Sequence, residues 1–178
     1  GPGFPGPRGA RLSDPVLPPN RHDTMKQLGQ GLHWDELKIG DRFRSWGRTV
    51  TDADIVNFIN CTGMLEVLFT DEEFRKQMPS DPGRLAPGAL VYSIAEGMLF
   101  VSLIQGTGMA FLHTEIDVKA PVKAGDTIHV EVEVTDVRPT SKNDGRGLVR
   151  TRNEVKNQRG ETVLVYTPLR LLKGSAGR

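Results

Sequence analysis

The chain holds one cysteine, Cys61, so it can build neither an internal disulfide nor a cysteine-based zinc cluster, and a reducing compartment suits it. It has no surplus of charge: 23 Lys and Arg stand against 22 Asp and Glu, a net of +1. A balance that close supplies no long-range field to draw in nucleic acid or an anionic membrane. It also has no long uncharged apolar run. The longest stretch, 86–104, carries Glu96, Ser93 and Ser102, and reads as a core helix, not a membrane span. No basic segment followed by an apolar one opens the sequence, so no secretory signal is expected and the setting is taken as cytoplasmic. What remains is a length of 178 residues. That is one domain at the usual ~150 residues, enough to hide roughly 70% of the unfolded surface.

Residues 1–24 differ from the rest. They hold six of the twelve prolines and four glycines, with no apolar periodicity, and a flexible tail is expected there, of native or added origin. Gly1-Pro2-Gly3-Phe4-Pro5-Gly6 spells a dinucleotide fingerprint by letter only, since no strand precedes it and prolines interrupt it. A single domain over 25–178 follows. Residues 41–50 are strand-like, with Phe43 and Val50 as anchors. Thr51-Asp52-Ala53-Asp54 then reads as a capping box opening a helix through Ile55, Phe58, Ile59 and Thr62, which Gly63 ends. A second short helix is expected over 71–78, with breakers over 79–83.

Residues 88–104 are apolar almost all round, the mark of a helix wrapped by other structure. Alternation then takes over, at 111–118 and at 127–134, where Ile128, Val130, Val132 and Val134 share one face. Turn chemistry at 142–145 and 157–160 separates further strands at 148–155 and 162–172. A strand, helices, one long buried helix and then four antiparallel strands make an α+β fold, in which one sheet curling round the helix accounts for both halves.

Three segments resemble the MaoC-like acyl dehydratases, the group that includes the (R)-specific enoyl-CoA hydratases. They are Val50-Thr51-Asp52-Ala53-Asp54-Ile55-Val56-Asn57-Phe58 with Thr62-Gly63, Arg84-Leu85-Ala86-Pro87-Gly88-Ala89-Leu90, and Ala120-Pro121-Val122-Lys123-Ala124-Gly125-Asp126. Asn157-Gln158-Arg159-Gly160 resembles that family's late hairpin. The resemblance runs over about 35–173 and implies a hot-dog fold, an antiparallel sheet wrapped around a long central helix. It also implies acyl-CoA or another acyl thioester as ligand, a homodimer or higher homo-oligomer with the pocket between subunits, a role in fatty acid metabolism, and no cofactor or metal.

The sequence departs from the family's catalytic motif, in which Gly is followed by Asp, any residue, and Asn-Pro-Leu-His. Here it reads Gly63-Met64-Leu65-Glu66-Val67-Leu68-Phe69. Met64 and Phe69 stand where the Asp and His belong, and neither side chain exchanges protons at neutral pH. The implied thioester cradle does carry over: the amide at Gly88, with Ala89 beside it, would face the carbonyl from a helix N-terminus. Met64 and Phe69 would make the loop greasy enough for an acyl chain.

Two carboxylates are candidates for the lost acid–base work. Glu96 sits mid-helix among apolar residues, where burial tunes a carboxylate for proton transfer; the bland alternative is an ion pair with a basic side chain. Glu66 lies two residues past the missing Asp; its bland alternative is a solvated loop carboxylate. Tyr92 and His113 are candidate ligand contacts, while Asp71 reads as a helix cap and Gly97 as a place for close strand approach. Cys61 reads as a small core residue. Arg150, Arg152, Lys156 and Arg159, interleaved with Glu154 and Glu161, read as a solvated strand face, not a nucleic-acid site. Two functions stay open: a hydratase/dehydratase with a relocated acid–base group, and a non-catalytic thioester-binding or partner subunit. A hot-dog thioesterase is a variant of the first.

Overall fold

In a computed structural model of the chain, which describes residues 25, 27–79 and 83–175, one antiparallel sheet is wrapped against one helix. The tail at 1–24 and most of the breaker loop at 79–83 lie outside the described residues. In chain order the elements are β1 (Arg42–Arg44), β2 (Arg48–Thr49), α1 (Asp52–Thr62), α2 (Val67–Thr70), α3 (Glu72–Lys76), α4 (Gly88–Phe100), β3 (Gly108–His113), β4 (Ile116–Val118), β5 (Thr127–Pro139), β6 (Arg146–Lys156), β7 (Thr162–Tyr166) and β8 (Leu169–Lys173).

Alternation builds the sheet. Ile128, Val130, Val132 and Val134 of β5 are all buried, and with Val149, Val155, Val163 and Leu164 they floor the core. Leu90, Val91, Ile94, Ala95 and Leu99 of α4 pack down on that floor. The capping box opens α1 as its letters require: the Asp54 amide donates to Thr51 Oγ1 at 3.1 Å and the Thr51 amide to Asp54 Oδ2 at 2.9 Å. Gly63 ends α1 at φ +73°, a left-handed conformation that an L side chain resists.

Several boundaries differ from the sequence reading, and hydrogen bonds explain each difference. The strand expected over 41–50 splits into β1 and β2, because Ser45 spends its hydroxyl on the Val130 amide at 2.9 Å. The helix expected to reach residue 104 stops at Phe100. Beyond it the Leu103 and Gln105 carbonyls accept from the Leu32 and Gly31 amides, each at 2.8 Å. The strand expected over 162–172 breaks at Thr167-Pro168, since proline has no amide for the ladder. The 111–118 strand breaks opposite that point, where the Glu115 carbonyl accepts from the Thr167 amide at 3.1 Å. Among the described residues six strands therefore follow α4, not four. β7 pairs with one half of β6 and β8 with the other, and their outer neighbours β4 and β3 form the far edge of the sheet.

Two smaller expectations fail. Cys61 is exposed on α1, not a core residue. Gly97 faces open space: a Cβ there would meet nothing within 4 Å, so no strand approaches it.

Candidate functional site

The start of α4 is held by the loop that the sequence singled out at 120–126. The Ala86 amide donates to the Val122 carbonyl at 2.8 Å, and the Ala124 amide to the Arg84 carbonyl at 3.0 Å. Asp126 closes that loop by accepting from the Lys123 amide at 2.9 Å and from Gln158 at 2.7 Å. Burial pushes the Asp126 carboxyl up, but the bonds from Gln158 and Lys123 and the charge of Arg159 outweigh it and hold the group below its ordinary range. The late-hairpin residues Gln158 and Arg159 thus act at a distance: they fix the carboxylate that fixes the loop that positions Gly88.

Pro87 precedes α4 and supplies no side-chain cap, and the Gly88 and Ala89 amides, at the first helical positions, have no intrahelical acceptor. Gly88 is needed for space: a Cβ there would lie 3.2 Å from Cγ2 of Val118 on β4. Ala89 and Val118 are exposed and Gly88 is half-buried.

The 63–69 segment is firmer than a loop. Glu66 caps α2, its Oε2 accepting from the Leu68 amide at 2.8 Å, and Asp71 caps α3, accepting from the Phe74 amide at 3.0 Å. Buried Arg75 donates to the Leu68 carbonyl at 3.1 Å and ties the two turns together. Met64 points outward, 40% exposed, while half-buried Phe69 packs on the main core. His113 is exposed at the end of β3.

Glu96 is buried beneath α4 and paired with Arg170 of β8, Nη2 to Oε1 at 2.5 Å. The polar neighbourhood extends further. Tyr92, one turn before Glu96, meets Tyr166 edge-on with ring centroids 5.1 Å apart. Tyr166 stands opposite Asn153 in the β6–β7 register, and both are fully buried. The Tyr166 hydroxyl lies close enough to Asn153 and Glu96 to feel both, but among the described residues neither it nor the Asn153 amide meets the geometry of a formed hydrogen bond. Burial, then the charge of Glu96, push the phenols of Tyr92 and Tyr166 up, Tyr166 by far the more, so both remain donors at neutral pH. Glu96 lies eight residues past Gly88, about 12 Å along the helix axis, so the carboxylate and the open amides occupy separate stations.

The sequence reading missed Arg170, Tyr166 and Asn153. A signal for the first was present: Arg170 is a lone charge within the apolar run Leu169, Leu171, Leu172, matching the lone charge of α4. Among the described residues no group of three or more His, Cys, Asp or Glu side chains is placed to hold a metal ion, and no helix is long and apolar enough to cross a membrane.

A curled antiparallel sheet gripping one helix is the hot-dog architecture of the MaoC-like proteins. The chain belongs to the family described as FAS1-like, dehydratase domain region, which residues 38–165 match. It is 26% identical over 108 residues to a 3-hydroxybutyryl-CoA dehydratase of Methylorubrum extorquens, covering 61% of this chain and 67% of that one. Among solved structures it is similar to a monoamine oxidase regulatory protein from Archaeoglobus, at 32% identity and a TM-score of 0.72 over 82% of this chain and 97% of the other. A MaoC-like dehydratase from Rhodospirillum rubrum gives 27% and 0.70, covering 81% of this chain and 98% of that one.

Proposed function

We propose that this chain is an acyl-thioester hydratase/dehydratase of the acyl-CoA type, working in the cytoplasm as a homodimer or larger homo-oligomer. The observation that carries the reading is the uncapped start of α4. Two adjacent amides there have no intrahelical acceptor and no side-chain cap among the described residues, at a helix end with partial positive charge, in the segment that resembles the family's thioester cradle. Amides so placed bind a thioester carbonyl and favour the enolate-like oxygen that forms when water adds across, or leaves from, the adjoining double bond.

Proton transfer falls to a carboxylate. Glu66 is exposed in the 63–69 segment and keeps one oxygen beyond its capping bond. Glu96 is available only if its bond to Arg170 opens. Met64, Phe69 and Tyr92 would line the acyl side, with His113 on the exposed edge. Subunit pairing is supported by that edge: β3 is exposed along its whole length, and Phe111, Leu112, Ile116 and Val118 on β3 and β4, Phe100 at the end of α4 and Val101 just past it are all exposed apolar side chains.

The test is hydration of a short 2-enoyl-CoA, followed by loss of the conjugated absorbance, in the parent and in Glu66→Gln and Glu96→Gln. Collapse in one variant assigns the base; full turnover in both removes the relocated-carboxylate mechanism. The second reading, a thioester-binding subunit without catalysis, is favoured by the capping bond of Glu66 and the ion pair of Glu96. It predicts acyl-CoA affinity by calorimetry with no product from any enoyl or saturated thioester. A thioesterase would instead release free thiol from a saturated acyl-CoA.

A further inference from the structure

The sheet edge opposite β3 and β4, where β1 and β2 flank β5, takes no part in the proposed subunit contact. There a cavity of about 460 Å³ lies between the 44–47 segment and the hairpin that joins β6 to β7. Arg44, Thr127, His129, Asn157 and Arg159 are among the side chains in its wall, and no carboxylate is. The neighbouring carboxylates are engaged elsewhere. Glu131, opposite Arg44 in the β1–β5 register, accepts from Lys156 at 2.7 Å and lies 3.3 Å from His129 Nε2. Asp126 is held by the Lys123 amide and by Gln158. Arg44 is exposed and makes no hydrogen bond or ion pair among the described residues. Arg159 meets Asp126 and Glu161 only at 3.5 and 3.4 Å, looser than a well-formed charged pair.

The walls are fixed. Asn157 is fully buried, and its Oδ1 accepts from the Arg159 and Glu161 amides at 3.0 and 3.1 Å, which stiffens the turn that carries Arg159. On the facing side a Cβ at Gly47 would lie 3.1 Å from Cγ2 of Thr127, so glycine lets the segment come close to β5. Between Arg44 and Gly47 stands Trp46, 94% exposed. Arginines on an edge strand are commonly guards against pairing with another sheet. That role accounts for Arg42 and Arg44, but a bare indole on the same edge works against it.

We propose that this edge binds a nucleotide, with Arg44 and Arg159 holding its phosphate in the cavity and Trp46 stacking on its base. A guanidinium matches phosphate oxygens with paired bonds, and an indole face accepts any base. The cavity is of the size that small-molecule sites have. A free nucleotide and the nucleotide end of coenzyme A offer the same chemistry. The site stands whether or not the thioester reading does.

The test is titration of the full chain with adenosine 5'-monophosphate, adenosine and coenzyme A, read by tryptophan fluorescence and by calorimetry. The second tryptophan, Trp34, packs against Gly147 at the other end of β6, ten residues and roughly 30 Å from the hairpin, so quenching reports on Trp46. The monophosphate should quench and bind roughly tenfold more tightly than adenosine, the worth of a charge-assisted hydrogen bond. Arg44→Gln should weaken the monophosphate by about that factor and leave adenosine unchanged, a split that a guard residue does not produce. Trp46→Leu should weaken both and leave the circular dichroism as it was. Coenzyme A that quenches Trp46 more tightly than the monophosphate and loses affinity in Arg44→Gln assigns the site to the carrier's nucleotide end; coenzyme A that binds no better than the monophosphate assigns it to free nucleotides. The proposal is overturned if neither ligand quenches Trp46, if adenosine binds as tightly as its phosphate, or if Arg44→Gln changes no affinity. Enoyl-CoA turnover, measured separately, tests the thioester reading and not this one.

Discussion

Arg170 and Glu96, 74 residues apart in the chain, meet at 2.5 Å in the buried layer between β8 and α4. Glu96 is the single charge of α4, and Arg170 the one charge among Leu169, Leu171 and Leu172. Their pairing fixes how α4 sits along the sheet, because any slide of the helix would strand one charge away from water.

Breaking that pair from one side should be severe. Glu96→Leu or Arg170→Met alone should cost about 3–5 kcal/mol, the usual penalty for leaving a buried charge unmatched. The double replacement should cost far less than the sum. Urea unfolding of the four proteins in a double-mutant cycle checks it, and additive losses would show that the two charges do not depend on each other.

Gly88→Pro isolates the amide proposed to hold the thioester. Position 88 is the first helical residue, where proline is favoured, and Pro87 already has the extended ψ of 139° that a following proline requires. A Cβ at this position meets Cγ2 of Val118 at 3.2 Å in alanine and proline alike, so Gly88→Ala is the steric control. The two variants should differ in stability by no more than about 1 kcal/mol, while acyl-CoA affinity should be roughly five- to tenfold weaker in Gly88→Pro, the worth of one hydrogen bond. Gly88→Ala, which keeps the amide, should bind more tightly than Gly88→Pro. Calorimetry on both variants decides.

Acid should weaken the fold through Asp54 and Asp126. The bond from the Thr51 amide, then the Thr51 hydroxyl and Arg48, hold the Asp54 carboxyl below its ordinary 3.8. A carboxyl depressed in the folded state stabilises above its unfolded pKa and loses that contribution as pH falls through the folded one. Stability should therefore hold from neutrality to about pH 4 and decline below it. Asp54→Asn, with less to lose, should show a shallower decline in thermal melts between pH 6 and 3.

Leu112→Asp places a charge near the end of the exposed β3 strand, away from the core. It should shift the assembly toward monomer in sedimentation velocity and leave the circular dichroism unchanged. An unaltered sedimentation coefficient would move the subunit contact off this edge.

Much of the architecture is legible in the sequence because it rests on local periodicity. The alternation at 127–134 has a period of two and those four apolar residues are all buried. The capping box at Thr51 and the glycine at 63 form the local bonds that their types require. The breaks in the strands were illegible where long-range partners cause them: nothing near residue 114 announces that Thr167 will claim the Glu115 carbonyl. The role of Glu66 turned on one amide two residues away, which a reader of caps might have weighed, whereas Tyr166 and Asn153 look like ordinary strand residues until the register sets them face to face.

By itself, then, the sequence determined the balance of charge, the wrapped helix and the sheet that grips it, since these depend on residue type and short-range spacing. Only the tertiary structure decided that Glu96 is bound to Arg170 and that Gln158 steadies the loop holding Gly88. Those follow from contacts between residues distant along the chain, and only the folded sheet brings them within a hydrogen bond of one another.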